Sequence, residues 1–138
     1  MTNVVQVYDY RFSNPEYEIM RFRVRISEIA KSLGFEVESW DDQLGPAQGM
    51  CLRLPTGRVV VFLELQHSIT YHGEKGPYVQ VDAALLAEFG VEPLIDEVLT
   101  GLGLSDQLVD WRATSEQKQH AIDAMKWAAP HKKGKGMT

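Results

Sequence analysis

Apolar residues recur at helical spacing near the start of the chain. In the stretch SNPEYEIMRFRVRISEIAKSLG they stand three or four residues apart, at Ile19, Phe22, Ile26, Ile29 and Leu33. Asn14 suits the N-cap of a helix, Pro15 its first position, and Gly34 is typical of a helix C-terminus. The pattern predicts an amphipathic helix over residues 14–34.

The middle of the chain alternates polar and apolar residues. Four such stretches follow one another, at residues 35–40, 49–55, 58–71 and 77–82. The glycine-containing connections between them predict antiparallel strands of a β-meander. A two-residue turn at Thr56–Gly57 would place Leu52 opposite Val61 and Met50 opposite Leu63, so that one face is wholly apolar.

Helical signals return at residue 82 and complete the predicted fold. Asp82 and Gly90 bound one short segment, and Pro93 and Gly101 bound the next. A capping box over 114–117 opens a last helix that ends at Pro130. The predicted fold class is α+β, with an N-terminal amphipathic helix, a four-stranded antiparallel β-meander and C-terminal short helices. The 138 residues suit one domain, taken as 1–130, with 131–138 as a flexible basic tail.

No targeting or membrane signal is visible in the chain. The start, MTNVVQVYDY, lacks a basic and apolar leader, and nowhere do 18 apolar residues follow one another. The single cysteine, Cys51, cannot form an internal disulfide, and its alternating surroundings favour a sheet position over a nucleophile. We therefore expect a cytoplasmic protein that does not bind a membrane.

The charge is unevenly distributed along the chain. The net charge is -5, but the tail contributes three lysines, which leaves 11 Lys and Arg residues against 19 acids in the body. Lys75 and Arg112 enclose an interval of seven acids without a base, and a second acidic cluster surrounds Trp40. Such a body repels phosphates, so direct binding of nucleic acid is not expected.

The stretch LELQHSITYHGEKG holds the residues that most resemble a chemical site. In an extended strand Glu64 and His67 point to opposite faces, while Glu64 and His72 share a face but lie roughly 26 Å apart. His67 would then be a core residue and His72 a turn residue, unless a bend in the long strand 58–71 creates a metal site. Phosphate loops, nucleophile elbows and metal-ligand spacings are missing from the sequence. We predict no catalytic residue, no metal and no cofactor.

Trp40 is the strongest candidate for a contact with a partner. Alternation turns it away from Phe35 and Val37, toward solvent or a partner, although a second small core would also explain it. The neighbouring pair Asp41 and Asp42 fits a solvated turn better than an acid–base pair. An outward tryptophan ringed by carboxylates has the composition of an interaction hot spot.

The small size, the α+β meander, the acidic faces and the absence of a catalytic motif resemble the immunity proteins of bacterial contact-dependent toxin systems. The resemblance implies a non-catalytic cytosolic inhibitor that binds a cognate toxin with a basic surface, often a nuclease. Secretion chaperones are similarly small and acidic, and a small enzyme using Glu64, His67 or His72 is the other alternative. From the charge pattern, the partner-binding residues are predicted to be Trp40, Asp41, Asp42, Glu36, Glu38, Glu92, Asp96, Glu97, Asp106 and Asp110.

Overall fold

The structure is a computed structural model that describes residues 3–42, 45–65 and 76–136. These residues form seven strands: β1 (Val5–Val7), β2 (Glu16–Phe22), β3 (Glu38–Asp42), β4 (Gly45–Arg53), β5 (Val59–Leu65), β6 (Tyr78–Asp82) and β7 (Val109–Arg112). They also form four α-helices and a short 3-10 helix: α1 (Ile26–Leu33), α2 (Ala83–Phe89), α3 (Val91–Leu102), α4 (Glu116–Gly136) and the 3-10 helix Asp106–Leu108. No helix in these ranges is long and apolar enough to cross a membrane.

All seven strands belong to one antiparallel sheet in the order β1-β4-β5-β6-β2-β7, with β3 also paired to β4. β3 pairs with residues 45–49 of β4, and β1 pairs with residues 51–53 of the same strand. Because β5 occupies the other side of β4, β1 and β3 lie end to end along one edge of the sheet. β7 forms the opposite edge.

One face of the sheet carries the hydrophobic core. Along β5 the side chains of Val60, Phe62 and Glu64 are buried, while those between them are half-buried. Phe62 stacks on Phe22 of β2 with ring centroids 5.6 Å apart, and burying such a ring stabilises the fold by about 1.5–3 kcal/mol. α1 and α3 supply apolar residues to the same core, and α4 packs against α2.

The predicted N-terminal helix is wrong. Two strands precede the first helix, and α1 begins only at Ile26. The register between β2 and β6 shifts between Glu18 and Met20, so that Ile19 and Met20 are both buried. This bulge breaks the two-residue alternation of the strand, and the resulting spacing of buried residues imitates a helical face.

The four-stranded meander is also wrong as a description of the sheet. Strands β3 to β6 follow one another as neighbours, but β1, β2 and β7 extend the sheet to seven strands in the described residues. The added strands pair with partners that are far away in sequence, and β2 lies between β6 and β7. Local patterns carry no information about such pairings.

The predicted register of the first hairpin is off by one residue. Leu54 donates its N–H to the Arg58 carbonyl at 2.7 Å and accepts from the Gly57 N–H at 2.8 Å, which closes a three-residue loop. Gly57 takes a φ of 94°, as the last residue of such a loop requires. Leu52 therefore lies opposite Val60 and Met50 opposite Phe62. The one-residue shift exchanges the two faces, so the even-numbered residues of β5 enter the core.

In the C-terminal half, some helix ends agree with the sequence prediction and others do not. The Asp82 carboxylate accepts the Ala84 N–H at 2.8 Å and caps α2, whose C-cap is Gly90. α3 continues beyond Gly101 to a C-cap at Gly103, and α4 continues past Pro130 to Gly136. Trp111 lies on edge strand β7 and is 38% exposed.

Candidate functional site

A cleft of about 810 Å³ opens beside Trp40, on the face of the sheet opposite the main core. We call it the Trp40 groove. Its walls are the segment between β1 and β2 and the start of β3, and its floor comes from β4, β5 and β6. The residues that line it are Asp9, Tyr10, Arg11, Phe12, Glu16, Glu38, Ser39, Trp40, Met50, Cys51, Val61 and Gln80.

The first wall depends on a turn at Asp9. Its φ of 58° lies in the left-handed region, and in the described residues it is the only non-glycine residue with a positive φ. Aspartate tolerates this conformation better than most residues do. The turn directs the following segment across the sheet, where Tyr10 and Phe12 pack edge to face with centroids 5.3 Å apart.

The second wall is formed by edge strand β3. Trp40 lies opposite Ala47 in the β3–β4 register, and its indole ring covers Gly49. A Cβ atom at Gly49 would lie 2.4 Å from Trp40 Cη2, so only glycine permits this approach. The ring remains 41% exposed and also lines a smaller cleft of about 470 Å³ near the end of the β3–β4 hairpin.

The groove carries more negative than positive charge. Three carboxylates, those of Asp9, Glu16 and Glu38, line it together with one guanidinium, that of Arg11. None of the three acids forms an ion pair with another residue in the described ranges. A cationic group entering the groove would therefore meet carboxylates that are not already neutralised.

Glu36 extends the acidic surface next to the groove. Its backbone is fixed to β1, because the Gln6 side chain accepts its N–H at 2.9 Å and donates to its carbonyl at 2.5 Å. Desolvation, the carboxylates of Glu36 and Glu38, and a hydrogen bond to Glu36 raise the pKa of Tyr8. The tyrosine hydroxyl therefore stays neutral and adds no further negative charge beside the two carboxylates.

Cys51 lies on the floor of the groove without the features of a reactive thiol. It sits in β4, the sheet position that its alternating surroundings predicted, and lies opposite Val61. Burial, followed by the nearby carboxylate of Glu38, raises the pKa of the Cys51 thiol. Because the thiolate is the nucleophilic form, this environment disfavours nucleophilic chemistry at neutral pH.

The predicted acidic surface between Glu92 and Asp110 is largely neutralised by the fold. Arg58, remote in sequence, pairs with Glu97, which also accepts a hydrogen bond from Thr56. Arg112 pairs with Glu92 at 3.1 Å. Asp110 receives two hydrogen bonds from the Arg21 guanidinium, at 2.9 and 3.2 Å.

The remaining predicted partner-binding residues divide by position. Asp96 and Asp106 are exposed, on α3 and at the 3-10 helix, away from the residues that line the groove. Glu38 and Trp40 line the groove, Asp41 lines the smaller cleft, and the side chain of Asp42 lies outside the described residues. Sequence reasoning missed the wall formed by Tyr10 and Phe12. The aromatic alternation in YDYRF was a signal for it.

Glu64 has a structural explanation. Its carboxylate is 1% exposed, accepts the Ile26 N–H at 3.0 Å and pairs with Arg25 at 2.8 Å, so it holds the N-terminus of α1 against the sheet. His67 and His72 lie outside the described residues. Within the described ranges, no group of three or more His, Cys, Asp or Glu side chains could hold a metal ion.

Comparisons of the chain with protein-family models, curated proteins and solved structures find no match.

Proposed function

We propose that this chain is a non-catalytic immunity protein that binds and neutralises a cognate protein toxin with a basic surface in the cytosol. The observation that carries the proposal is the Trp40 groove, in which an exposed indole borders a cleft with three carboxylates that have no ion-pair partner among the described residues. The groove, together with Glu36 and Asp41 beside it, is the proposed docking surface.

The position of Trp40 supports its role as an anchor. Tryptophan is enriched among the residues that contribute most to binding energy, and such residues lie in pockets from which water is expelled. The indole already packs against Gly49 through Cη2 and Cζ3, so binding a partner needs little further ordering of the ring. A half-exposed, pre-positioned ring between two clefts meets these requirements.

Ion pairs within this protein limit the proposed docking surface to the acidic residues around Trp40. Glu92, Glu97 and Asp110 already neutralise arginines of this protein, so their charges attract a cationic partner less than those around Trp40. Carboxylates that face a cationic cleft accelerate encounter and imitate the phosphates that a nuclease binds. We therefore assign the steering charge chiefly to Glu36, Glu38 and Asp41.

The direct test uses the product of the neighbouring gene as the candidate toxin. Co-expression of this chain should restore growth of cells that express the toxin, and the purified proteins should form a stoichiometric complex by calorimetry. Normal toxicity in the presence of folded chain, together with no measurable binding, would contradict the proposal.

Two matched pairs of variants locate the surface. Trp40→Ala should raise the dissociation rate by about 30-fold, which corresponds to roughly 2 kcal/mol, while Trp127→Ala, at a site 70% exposed on α4, should not. Glu38→Lys with Asp41→Lys should slow association and weaken its salt dependence, while Asp96→Lys with Asp106→Lys should have a smaller effect. A larger effect from the second charge pair would move the docking surface to α3.

A further inference from the structure

The chain holds two of its own arginines by the same combination of contacts, an aromatic ring and a carboxylate. The Arg58 guanidinium carbon lies 3.9 Å from the centroid of the Phe89 ring while the group pairs with Glu97. The Arg21 guanidinium carbon lies 5.6 Å from the centroid of Tyr78 while the group pairs with Asp110. Such sites combine cation–π attraction with charge-assisted hydrogen bonds.

Trp40 and Glu38 present the same two components without an arginine. They stand two residues apart on β3 and therefore share a face, at a spacing of roughly 7 Å. Both line the Trp40 groove. In the described residues no cation lies over the Trp40 ring and no ion pair reaches Glu38.

We infer that the Trp40 groove is a subsite for an arginine side chain of the partner protein. The guanidinium stacks on the exposed part of the indole, away from the Cη2 and Cζ3 atoms that pack against Gly49, and pairs with the Glu38 carboxylate. Asp9 and Glu16 outweigh the single positive charge of Arg11, so the groove favours a cation over an anion. This inference rests on the proposed function and specifies which side chain the docking surface recognises.

The geometry favours arginine over lysine for this subsite. A guanidinium is planar, weakly hydrated and able to stack on an aromatic ring while it donates to a carboxylate. An ammonium group is compact and strongly hydrated, so it loses more hydration when it enters a groove lined by Tyr10, Phe12 and Trp40. Trp40 is also the aromatic residue type that binds cations best.

The chain contains its own reporter for occupancy of the groove. Cys51 is the only cysteine and lies on the groove floor, so its rate of alkylation reports access to the site. The probe is the blocked peptide acetyl-Gly-Arg-Gly-Arg-Gly-amide. Its control replaces each arginine by citrulline, which keeps the shape and removes the charge. Alkylation by iodoacetamide is run at alkaline pH, where more of the Cys51 thiol is ionised, and is followed by mass spectrometry at rising peptide concentration.

We expect the arginine peptide to slow alkylation of Cys51 in a saturable manner and the citrulline peptide to leave the rate unchanged. Glu38→Gln and Trp40→Leu should each weaken this protection by about tenfold. Asp106→Asn and Trp127→Leu are the matched controls and should behave as the wild type, with folding checked by circular dichroism. Equal protection by both peptides, no protection in the wild type, or full protection in Glu38→Gln would overturn the inference.

The two proposals can fail separately. If the toxin is neutralised and bound but neither Glu38→Gln nor the arginine peptide affects the complex, the arginine subsite is wrong and the immunity function stands. If the peptide protects Cys51 through Glu38 and Trp40 but no toxin is bound, the subsite stands and the immunity function is wrong.

Discussion

The charge of Glu64 should be required for full stability of the fold. Glu64→Gln keeps the shape of the side chain and one carbonyl oxygen that can accept the Ile26 N–H. The other carboxylate oxygen accepts a hydrogen bond from Arg25 Nε at 3.0 Å and pairs with a terminal Arg25 nitrogen at 2.8 Å, and glutamine puts an amide nitrogen in its place. If the amide is turned the other way, this nitrogen faces the Ile26 N–H instead. In either orientation the amide nitrogen of the glutamine, itself a donor, faces an N–H donor of Arg25 or Ile26.

The size of the loss follows from the contacts. A hydrogen bond to a charged group contributes about 1.5–3 kcal/mol, and a negative charge at a helix N-terminus about 0.3–1 kcal/mol. Arg25 is 37% exposed, so water compensates part of its lost pair and that contribution is discounted. We expect Glu64→Gln to lower the free energy of unfolding by about 1–3 kcal/mol.

Urea denaturation followed by circular dichroism measures this loss. Glu28→Gln is the matched control, because Glu28 belongs to the same helix N-terminus but is exposed and accepts the Arg25 N–H at a longer 3.4 Å. The control should cost less than about 0.5 kcal/mol. If Glu64→Gln is as stable as the wild type, Glu64 does not hold α1 and its carboxylate is available for another role.

Three further predictions concern the groove and the first hairpin. Gly49→Ala should destabilise the fold by about 1–3 kcal/mol and alter tryptophan fluorescence, because the alanine Cβ would lie 2.4 Å from the Trp40 ring and 2.7 Å from the Phe62 carbonyl oxygen. An unchanged fluorescence spectrum would refute the packing of Trp40 on Gly49. Gly57→Ala should cost about 1 kcal/mol in urea denaturation from its φ of 94° alone, since no heavy atom beyond the two adjacent residues lies within 4 Å of the new Cβ. A neutral substitution would contradict the three-residue loop. The free energy of unfolding should fall as pH rises above 9.0, the ordinary pKa of a thiol, because the raised pKa of Cys51 lets the native state keep a proton that the unfolded state loses. Cys51→Ala should reduce this decline, measured as the urea midpoint against pH, and an identical pH profile would count against the burial of Cys51.

Several local features could be predicted from residues close together in sequence. Asp82 and Gly90 could be predicted as the two caps of α2. Both caps are made with backbone groups only a few residues away, so they depend on local sequence. The alternation over β5 was sufficient to predict a strand, but not to decide which face is buried. Which face of β5 is buried depends on whether the hairpin loop has two residues or three, because one extra loop residue shifts the strand register by one.

The candidate site shows the same division. Its acidic character and the exposure of Trp40 could be predicted from the sequence, because Glu36, Glu38 and Trp40 alternate along one predicted strand. The groove itself could not be predicted, since its floor joins Cys51 to Val61 and Gln80 through the sheet register and its first wall comes from the segment at Asp9.

The sequence by itself determined the charge, the short capped helices and the existence of the central strands, all of which depend on interactions within a few residues. Only the tertiary structure decided that residues 16–22 form a strand, because its backbone groups pair with β6 and β7 at a distance of about 60 to 90 residues along the chain. The tertiary structure also neutralised Glu97 with Arg58 and Asp110 with Arg21, leaving Glu38 unpaired among the described residues. Charge counts along a sequence cannot predict which acids remain unpaired, because ion pairs form between groups that folding brings together.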